Sequence, residues 1–429
     1  MQYLFARTVL NMSNFLMTGG SRLCGTIAVH GAKNAALPIL AATILIPEPV
    51  ELQNCPPLSD IEDMCAILRS LGCTVSRSGD TVTVDASRAQ HGNLPESLSH
   101  RVRSSIFLLG SLIARFQTAC APYPGGCEIG NRPIDLHLYA LSRLGVTFTE
   151  GDGRICAEAK RLTGSTIDLD YPSVGATENA ILAAVTAEGQ TVLRGAACEP
   201  EIADLQNFLN ACGFSVRGAG TPTVVIDGGR TGRGVSYRIM PDRIVTGTYL
   251  IAGAMTGGDV TVTDTDPMLI GALLSKLEAC GCSVTAYRDA VRLTLSGRPR
   301  GPVSAETRPY PAFATDLQAQ LFALLSIADG TSVITEHIFE NRFRHAAELK
   351  RMGAQNEIIG RTAIIRGVER LHGAKVTAFD LRCGAALVLA GLAADGETEI
   401  LHAERIDRGY DRMDEAIRQL GGQIQRKEF

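Results

Sequence analysis

Glu201-Ile202-Ala203-Asp204-Leu205-Gln206-Asn207-Phe208-Leu209-Asn210-Ala211-Cys212-Gly213-Phe214-Ser215-Val216 reads as an amphipathic helix that stops at a glycine and runs on into a strand. Ile202, Leu205 and Leu209 fall on one helical face. Gly213 stands at the helix C′ position, where a left-handed turn favours glycine. The same pattern ends at Gly72, Gly145, Gly213, Gly281, Gly353 and Gly421, and subtraction gives spacings of 73, 68, 68, 72 and 68 residues. Six glycines in register, each after a helix and before a strand, mark six copies of one unit.

Each unit opens with a second kind of helix, rich in alanine and leucine and apolar almost all round. These runs are Ala35 to Ile46, Ser104 to Ala114, Glu178 to Ala187, Gly247 to Met255, Leu317 to Ile327 and Ala385 to Ala394. Helices of that kind belong at a buried centre. The closing helices, such as Ile61 to Leu71, keep one polar face and belong nearer solvent. Alternating runs such as Thr81-Val82-Thr83-Val84 and Val260-Thr261-Val262 fit half-exposed strands. The expected fold is therefore α/β and inside out, with central helices, outer sheets and three units per domain.

A chain of 429 residues is too long for one ordinary core. With 45% hydrophobic and 20% charged residues and a net charge of −4, no global basic field exists for nucleic acid or an anionic membrane. Lysine is confined to Lys33, Lys160, Lys276, Lys350, Lys375 and Lys427, so arginine supplies most cations and suits bidentate grips on carboxylate and phosphate. The 12 cysteines include no Cys-x-x-Cys and only one Cys-x-Cys, Cys280 and Cys282. No zinc or other metal site is expected, and the scattered thiols read as reduced and cytoplasmic. The opening residues, broken by Arg7 and Asn11, do not make a signal peptide, and Met12 could equally be the start, leaving a disordered extension. No apolar run is long enough for a membrane span.

Aligning the units exposes the chemistry. Just before the apolar helices stand Lys33-Asn34, Arg103, Ser173-Val174-Gly175, Asp242-Arg243, Asp316, and Asp380 with Arg382. Helix N-termini favour anions. The loops before the amphipathic helices hold Cys127 and Arg132, Glu199 and Glu201, Arg342, and Asp407-Arg408, while Pro57 to Asp60 and Asp264 to Pro267 are plainer. Parallel helices would gather their N-termini at one end of each domain. Two such ends facing each other would make a cleft of arginine and carboxylate, suited to a polyanionic substrate.

Cys127 lies in Pro124-Gly125-Gly126-Cys127-Glu128-Ile129-Gly130-Asn131-Arg132-Pro133-Ile134-Asp135-Leu136-His137. Its glycines and nearby Arg132 favour an exposed, reactive thiol over a packed one. Lys33 sits at the mouth of a buried helix without a P-loop pattern, which favours an anion contact over a solvated surface charge. Asp316 reads equally as a helix N-cap or as a general base. Glu199-Pro200-Glu201 reads as a turn with a helix-start charge. Gly228 to Gly234 is a glycine-rich turn without dinucleotide spacing.

These motifs resemble the UDP-N-acetylglucosamine 1-carboxyvinyltransferases of the EPSP synthase-like superfamily. The likeness runs from about residue 13 to the C-terminus. It is carried by GAKNAALPIL from Gly31, PGGCEIGNRPIDLH from Pro124, SVGATEN from Ser173 and EPEI from Glu199. PDRIVTGT from Pro241, ATDLQAQ from Ala314, FENRF from Phe339, DLR at Asp380 and IDRGY from Ile406 complete it. The resemblance implies two three-unit domains, 33–240 carrying the Cys127 loop and 241–429 with 1–32. It implies transfer of the enolpyruvyl group of phosphoenolpyruvate to the 3′-hydroxyl of UDP-N-acetylglucosamine, by addition and elimination, at the start of peptidoglycan synthesis. No cofactor is implied, and a monomer is expected.

Carried over residue by residue, Cys127 matches a general acid that can also form a covalent adduct. Lys33, Arg132 and Arg408 match the phosphate grip. Asp316 matches the group that binds and deprotonates the sugar hydroxyl. Arg103, Arg132, Pro133, Ile134, Asp135, Leu136, Tyr171, Pro172, Ser173, Val174, Gly175 and Ile338 match nucleotide-sugar contacts. Asn34 matches a contact near the reacting centre, Arg342, Asp380 and Arg382 match the far wall of the cleft, and Arg243 is expected among the substrate-binding residues. Cys198, Cys383 and Ala314 depart from the residues usual at their places, and none removes a catalytic group. A shikimate-type transferase and a non-catalytic nucleotide-sugar sensor are the alternatives.

Overall fold

The computed structural model describes residues 13–99, 103–123, 130 and 133–429. Among the described residues, twelve helices of seven residues or more alternate between two roles. They are α1 (Lys33–Ala42), α2 (Ser59–Ser70), α3 (Leu108–Phe116), α4 (Asp135–Arg143), α5 (Val174–Ala184) and α6 (Pro200–Ala211). Then follow α7 (Arg243–Met255), α8 (Gly271–Ala279), α9 (Gln318–Leu325), α10 (His345–Arg351), α11 (Leu381–Ala393) and α12 (Met413–Gln419). The odd-numbered helices are the apolar runs. Every residue of α7 and α9 is buried. Of these apolar helices, α1, α5, α7 and α11 begin a few residues earlier than the apolar pattern alone indicates, because first-turn residues such as Lys33 and Arg243 are helical too, whereas α3 and α9 begin later, after 3-10 turns.

The six closing glycines all take left-handed backbone, with φ between 87° for Gly281 and 98° for Gly213. Among the described residues, five four-stranded sheets, one three-stranded sheet and a two-stranded pair lie outside the helices. Central helices touch each other directly within each half of the molecule. At one such crossing Gly110 has no room for a Cβ against Asn179, and its amide donates to Asn179 Oδ1 at 2.6 Å.

The buried apolar side chains form two separate cores. One runs from Ala32 to Ile239, and the other combines Phe15 to Val29 with Ile244 to Ile424. The chain crosses back because its N-terminal strands complete the second core. Ser13–Thr18 lies between Glu397–Leu401 and Gln423–Glu428, antiparallel to both. Cys24–Ala28 pairs parallel with Asp259–Thr263. On the other side, Ser236–Arg238 returns to pair parallel with Val50–Gln53 and closes the first half.

One cysteine pair departs from the expectation of reduced thiols. The strands Thr118–Pro122 and Arg154–Glu158 are antiparallel, their register sets Cys120 directly opposite Cys156, and the two form a disulfide. Spacing in sequence carried no sign of it, since the pairing depends on strand register. Among the described residues no helix is long and apolar enough to cross a membrane.

Candidate active site

The N-termini of the second half converge. Asp242 caps α7, accepting from the Ile244 and Val245 amides at 2.8 and 3.1 Å. Asp380 caps α11, accepting from the Arg382 and Cys383 amides at 2.9 and 3.0 Å. Asp316 sits in the 3-10 turn Thr315–Leu317 ahead of α9 and caps nothing. Its Oδ1 accepts from Arg342 Nη2 at 2.7 Å and its Oδ2 from Arg382 Nη2 at 2.9 Å. Burial pushes its pKa up, but the Arg382 and Arg342 guanidiniums outweigh that and hold the carboxyl well below the usual range, with a smaller contribution from Lys33. Arg342 Nε and Arg382 Nε and Nη1 are buried without a hydrogen-bond partner. Of the two readings of Asp316 from sequence, the capping one does not hold.

A second cluster joins the two halves. Lys33 Nζ reaches Asp60 Oδ2 at 3.1 Å, and Arg408 Nε donates to Asp60 Oδ1 at 2.9 Å. The Lys33 amide donates to Asp242 Oδ2 at 3.3 Å, which ties the start of α1 to the cap of α7. Burial opposes ionisation of Asp60, yet Lys33 and Arg408 leave its pKa lowered. Asp60 is the residue that sequence reasoning passed over. Its loop looked plain, although it fills the repeat position that holds Arg342 and Arg408 elsewhere.

The remaining residues fall around these clusters. Asn34 is the exposed member of an otherwise buried first turn of α1. Ser173 caps α5 through the Ala176 amide at 3.3 Å, and Pro172, Val174 and Gly175 beside it are half-buried. Tyr171 is exposed, and its hydroxyl feels Glu199 from one half and Glu336 and Arg361 from the other. Glu336 also fixes the backbone at Ile338, whose amide donates to its Oε1 at 2.8 Å. Arg103 opens the 3-10 turn Arg103–Phe107 ahead of α3. Pro133 and Asp135 are exposed, Leu136 is half-buried and Ile134 is buried. Gly130 presses its backbone against Glu340 of the second half. Cys127 and Arg132 lie outside the described residues.

Arg243, expected among the substrate-binding residues, makes a buried ion pair within the protein. Its guanidinium is taken up by Glu201, with Nε to Oε1 at 2.9 Å and Nη2 to Oε2 at 3.2 Å, in a buried pair across the halves. Beside it Glu178 is buried with neither carboxylate oxygen hydrogen-bonded, and burial, then Glu201 and Glu199, push its pKa well above the usual range. Glu199 accepts from the Tyr310 amide at 3.2 Å, another link between the halves. These two glutamates of the Glu-Pro-Glu motif thus do more than open a helix.

The family model for EPSP synthase (3-phosphoshikimate 1-carboxyvinyltransferase) matches residues 17–417. The chain is 51% identical to UDP-N-acetylglucosamine 1-carboxyvinyltransferase 2 of Caldanaerobacter subterraneus subsp. tengcongensis, over 97% of this chain and the whole of that protein. It is 47% identical to UDP-N-acetylglucosamine 1-carboxyvinyltransferase 1 of Carboxydothermus hydrogenoformans, over 97% of this chain and 98% of the other. The enolpyruvyl transferase NikO from Streptomyces tendae superposes with a TM-score of 0.88 at 28% identity, covering 98% of this chain and all of that one. EPSP synthase from Acinetobacter baumannii shares the fold, with a TM-score of 0.76 at 19% identity over 97% of this chain and all of that one. Two three-unit halves, helix N-termini set around buried arginines, and these relatives agree: the chain belongs to the EPSP synthase family and is a carboxyvinyltransferase.

Proposed function

We propose that the enzyme moves the enolpyruvyl group of phosphoenolpyruvate onto the 3′-hydroxyl of UDP-N-acetylglucosamine and releases phosphate, the first step toward peptidoglycan. The observation that carries this reading is Asp316 held between Arg342 and Arg382, within electrostatic reach of Lys33. In this reading the two cores are two domains, 33–240 and 241–429 with 1–32, that close over the substrates as a monomer in the cytoplasm.

The sugar 3′-oxygen attacks C2 of phosphoenolpyruvate while its proton passes to Asp316. Cys127 gives its proton to C3, so a tetrahedral intermediate forms with the phosphate still attached. A C3 proton then returns to the Cys127 thiolate as the C2–O bond cleaves and expels phosphate, which leaves with the proton held by Asp316. Lys33, Arg132 and Arg408 neutralise the phosphate as charge builds on it. The two arginines keep Asp316 ionised, so it accepts the hydroxyl proton only in passing. Unpartnered N–H groups on Arg342 and Arg382 suit them to a substrate carboxylate. Tyr171, Ser173 and the residues after Arg132 seat the nucleotide.

Phosphate release on mixing both substrates tests the reading. Tight UDP-N-acetylglucosamine binding without phosphate release would overturn it in favour of a sensor. Turnover with shikimate 3-phosphate as the acceptor would overturn it in favour of the shikimate-type enzyme.

A further inference from the structure

Asp60 lies where the phosphate grip closes. Lys33 and Asp60 are held in place, with side chains only 10% and 6% exposed. Arg408 is the exposed partner, at 45%, and it comes from the other half. Its guanidinium meets Asp60 through two nitrogens, Nε at 2.9 Å and Nη2 at 3.5 Å. This bidentate approach to a carboxylate is the geometry a guanidinium also uses on a phosphate. A phosphate at Lys33 and Arg408 would compete with Asp60 for the same guanidinium and bring like charge close to it.

We propose that Asp60 is an internal competitor for the substrate phosphate: it holds Arg408 in the ligand-free enzyme and surrenders it when phosphate binds. This rests on the reading of Lys33 and Arg408 as phosphate ligands. The exchange trades one anion for another on the same guanidinium, so the halves stay bridged throughout. It also runs in reverse. After elimination, Asp60 reclaims Arg408 and weakens the hold on product phosphate. Asp60 is thus a positioning residue that lowers phosphate affinity and speeds release.

Titration of inorganic phosphate into the full-length enzyme with UDP-N-acetylglucosamine bound, followed by calorimetry, tests the proposal. Asp60→Asn is expected to tighten phosphate binding by about tenfold, because the competing charge is gone. The KM for phosphoenolpyruvate falls with it, and product inhibition by phosphate deepens. Loose packing or partial unfolding would weaken binding, so tightening separates competition from structural damage. Asp60→Ser serves the same purpose should the asparagine variant not fold, and Asp60→Glu restores competition. Lys33→Ala and Arg408→Ala are run alongside. If they leave phosphate binding unchanged, the phosphate reading of those residues fails. If they weaken it while neither Asp60 variant tightens it, the competitor role is overturned.

Discussion

Replacing Asp316 by asparagine keeps the shape and removes the charge. The native carboxylate accepts one hydrogen bond from each of two guanidiniums, at 2.7 and 2.9 Å. Both arginine side chains are only 4% exposed, and Asp316 is 28% exposed. Asparagine can accept from one arginine, but turns an NH₂ donor toward the other. One charge-assisted bond, worth about 1.5–3 kcal/mol, is lost, and two buried cations are left close together without their anion. The expected loss of stability is about 3 kcal/mol, the low end for breaking a buried ion pair.

Because the folded pKa of Asp316 is depressed, its contribution is present above the ordinary aspartate range and lost as pH falls through the folded value. The gap between native and variant therefore stays level from about pH 5 to 8 and narrows below about pH 4. For catalysis, removing the base costs about 10²–10⁴ in kcat. Phosphoenolpyruvate binding does not weaken, because the freed arginines face an anionic substrate. Steady-state phosphate release gives kcat and KM separately, and thermal unfolding across pH gives stability. A kcat within about threefold of native, or a loss appearing only in KM, would refute the role of Asp316 as base.

Three further outcomes are expected. Arg243→Met strands the carboxylate of Glu201 beside Glu178 and Glu199. It should cost about 3–5 kcal/mol in thermal unfolding, much of it regained with Glu201→Met, and a loss under about 1 kcal/mol would contradict the pairing. Glu178→Gln should unfold at a higher temperature than native at pH 8, with the difference closing toward pH 4. The raised folded pKa means that native stability is full below the glutamate range and falls as pH rises, by up to about 1.4 kcal/mol per pH unit, and a pH-independent difference would count against it. Fosfomycin, an epoxide antibiotic, should alkylate Cys127 when UDP-N-acetylglucosamine is present. An intact-mass spectrum without the adduct would exclude a reactive thiol there.

Much of the architecture was legible because it rests on local physics repeated six times. Glycine is needed wherever a helix must turn left-handed into a strand, so Gly72 to Gly421 could be counted without a structure. Alanine- and leucine-rich helices with no polar face announce a buried centre. The site was less legible. Asp316 allowed two readings until Arg342 and Arg382 were seen on its two oxygens, and those arginines follow it by 26 and 66 positions. Asp60 was passed over because its partner Arg408 lies 348 positions away. Arg243 stood at a helix start like the other site residues, yet its charge is spent on Glu201.

What the sequence determined by itself was the unit, its number of copies, and the residue types delivered to each helix N-terminus. Periodicity, turn chemistry and helix-end electrostatics act over a few residues and can be read in one dimension. Only the tertiary structure decided which charges meet. It set Cys120 opposite Cys156 by strand register, paired Arg243 with Glu201, and put Asp60 between Lys33 and Arg408. Coulomb energy depends on separation in space, and only the packing of two cores against each other sets that separation.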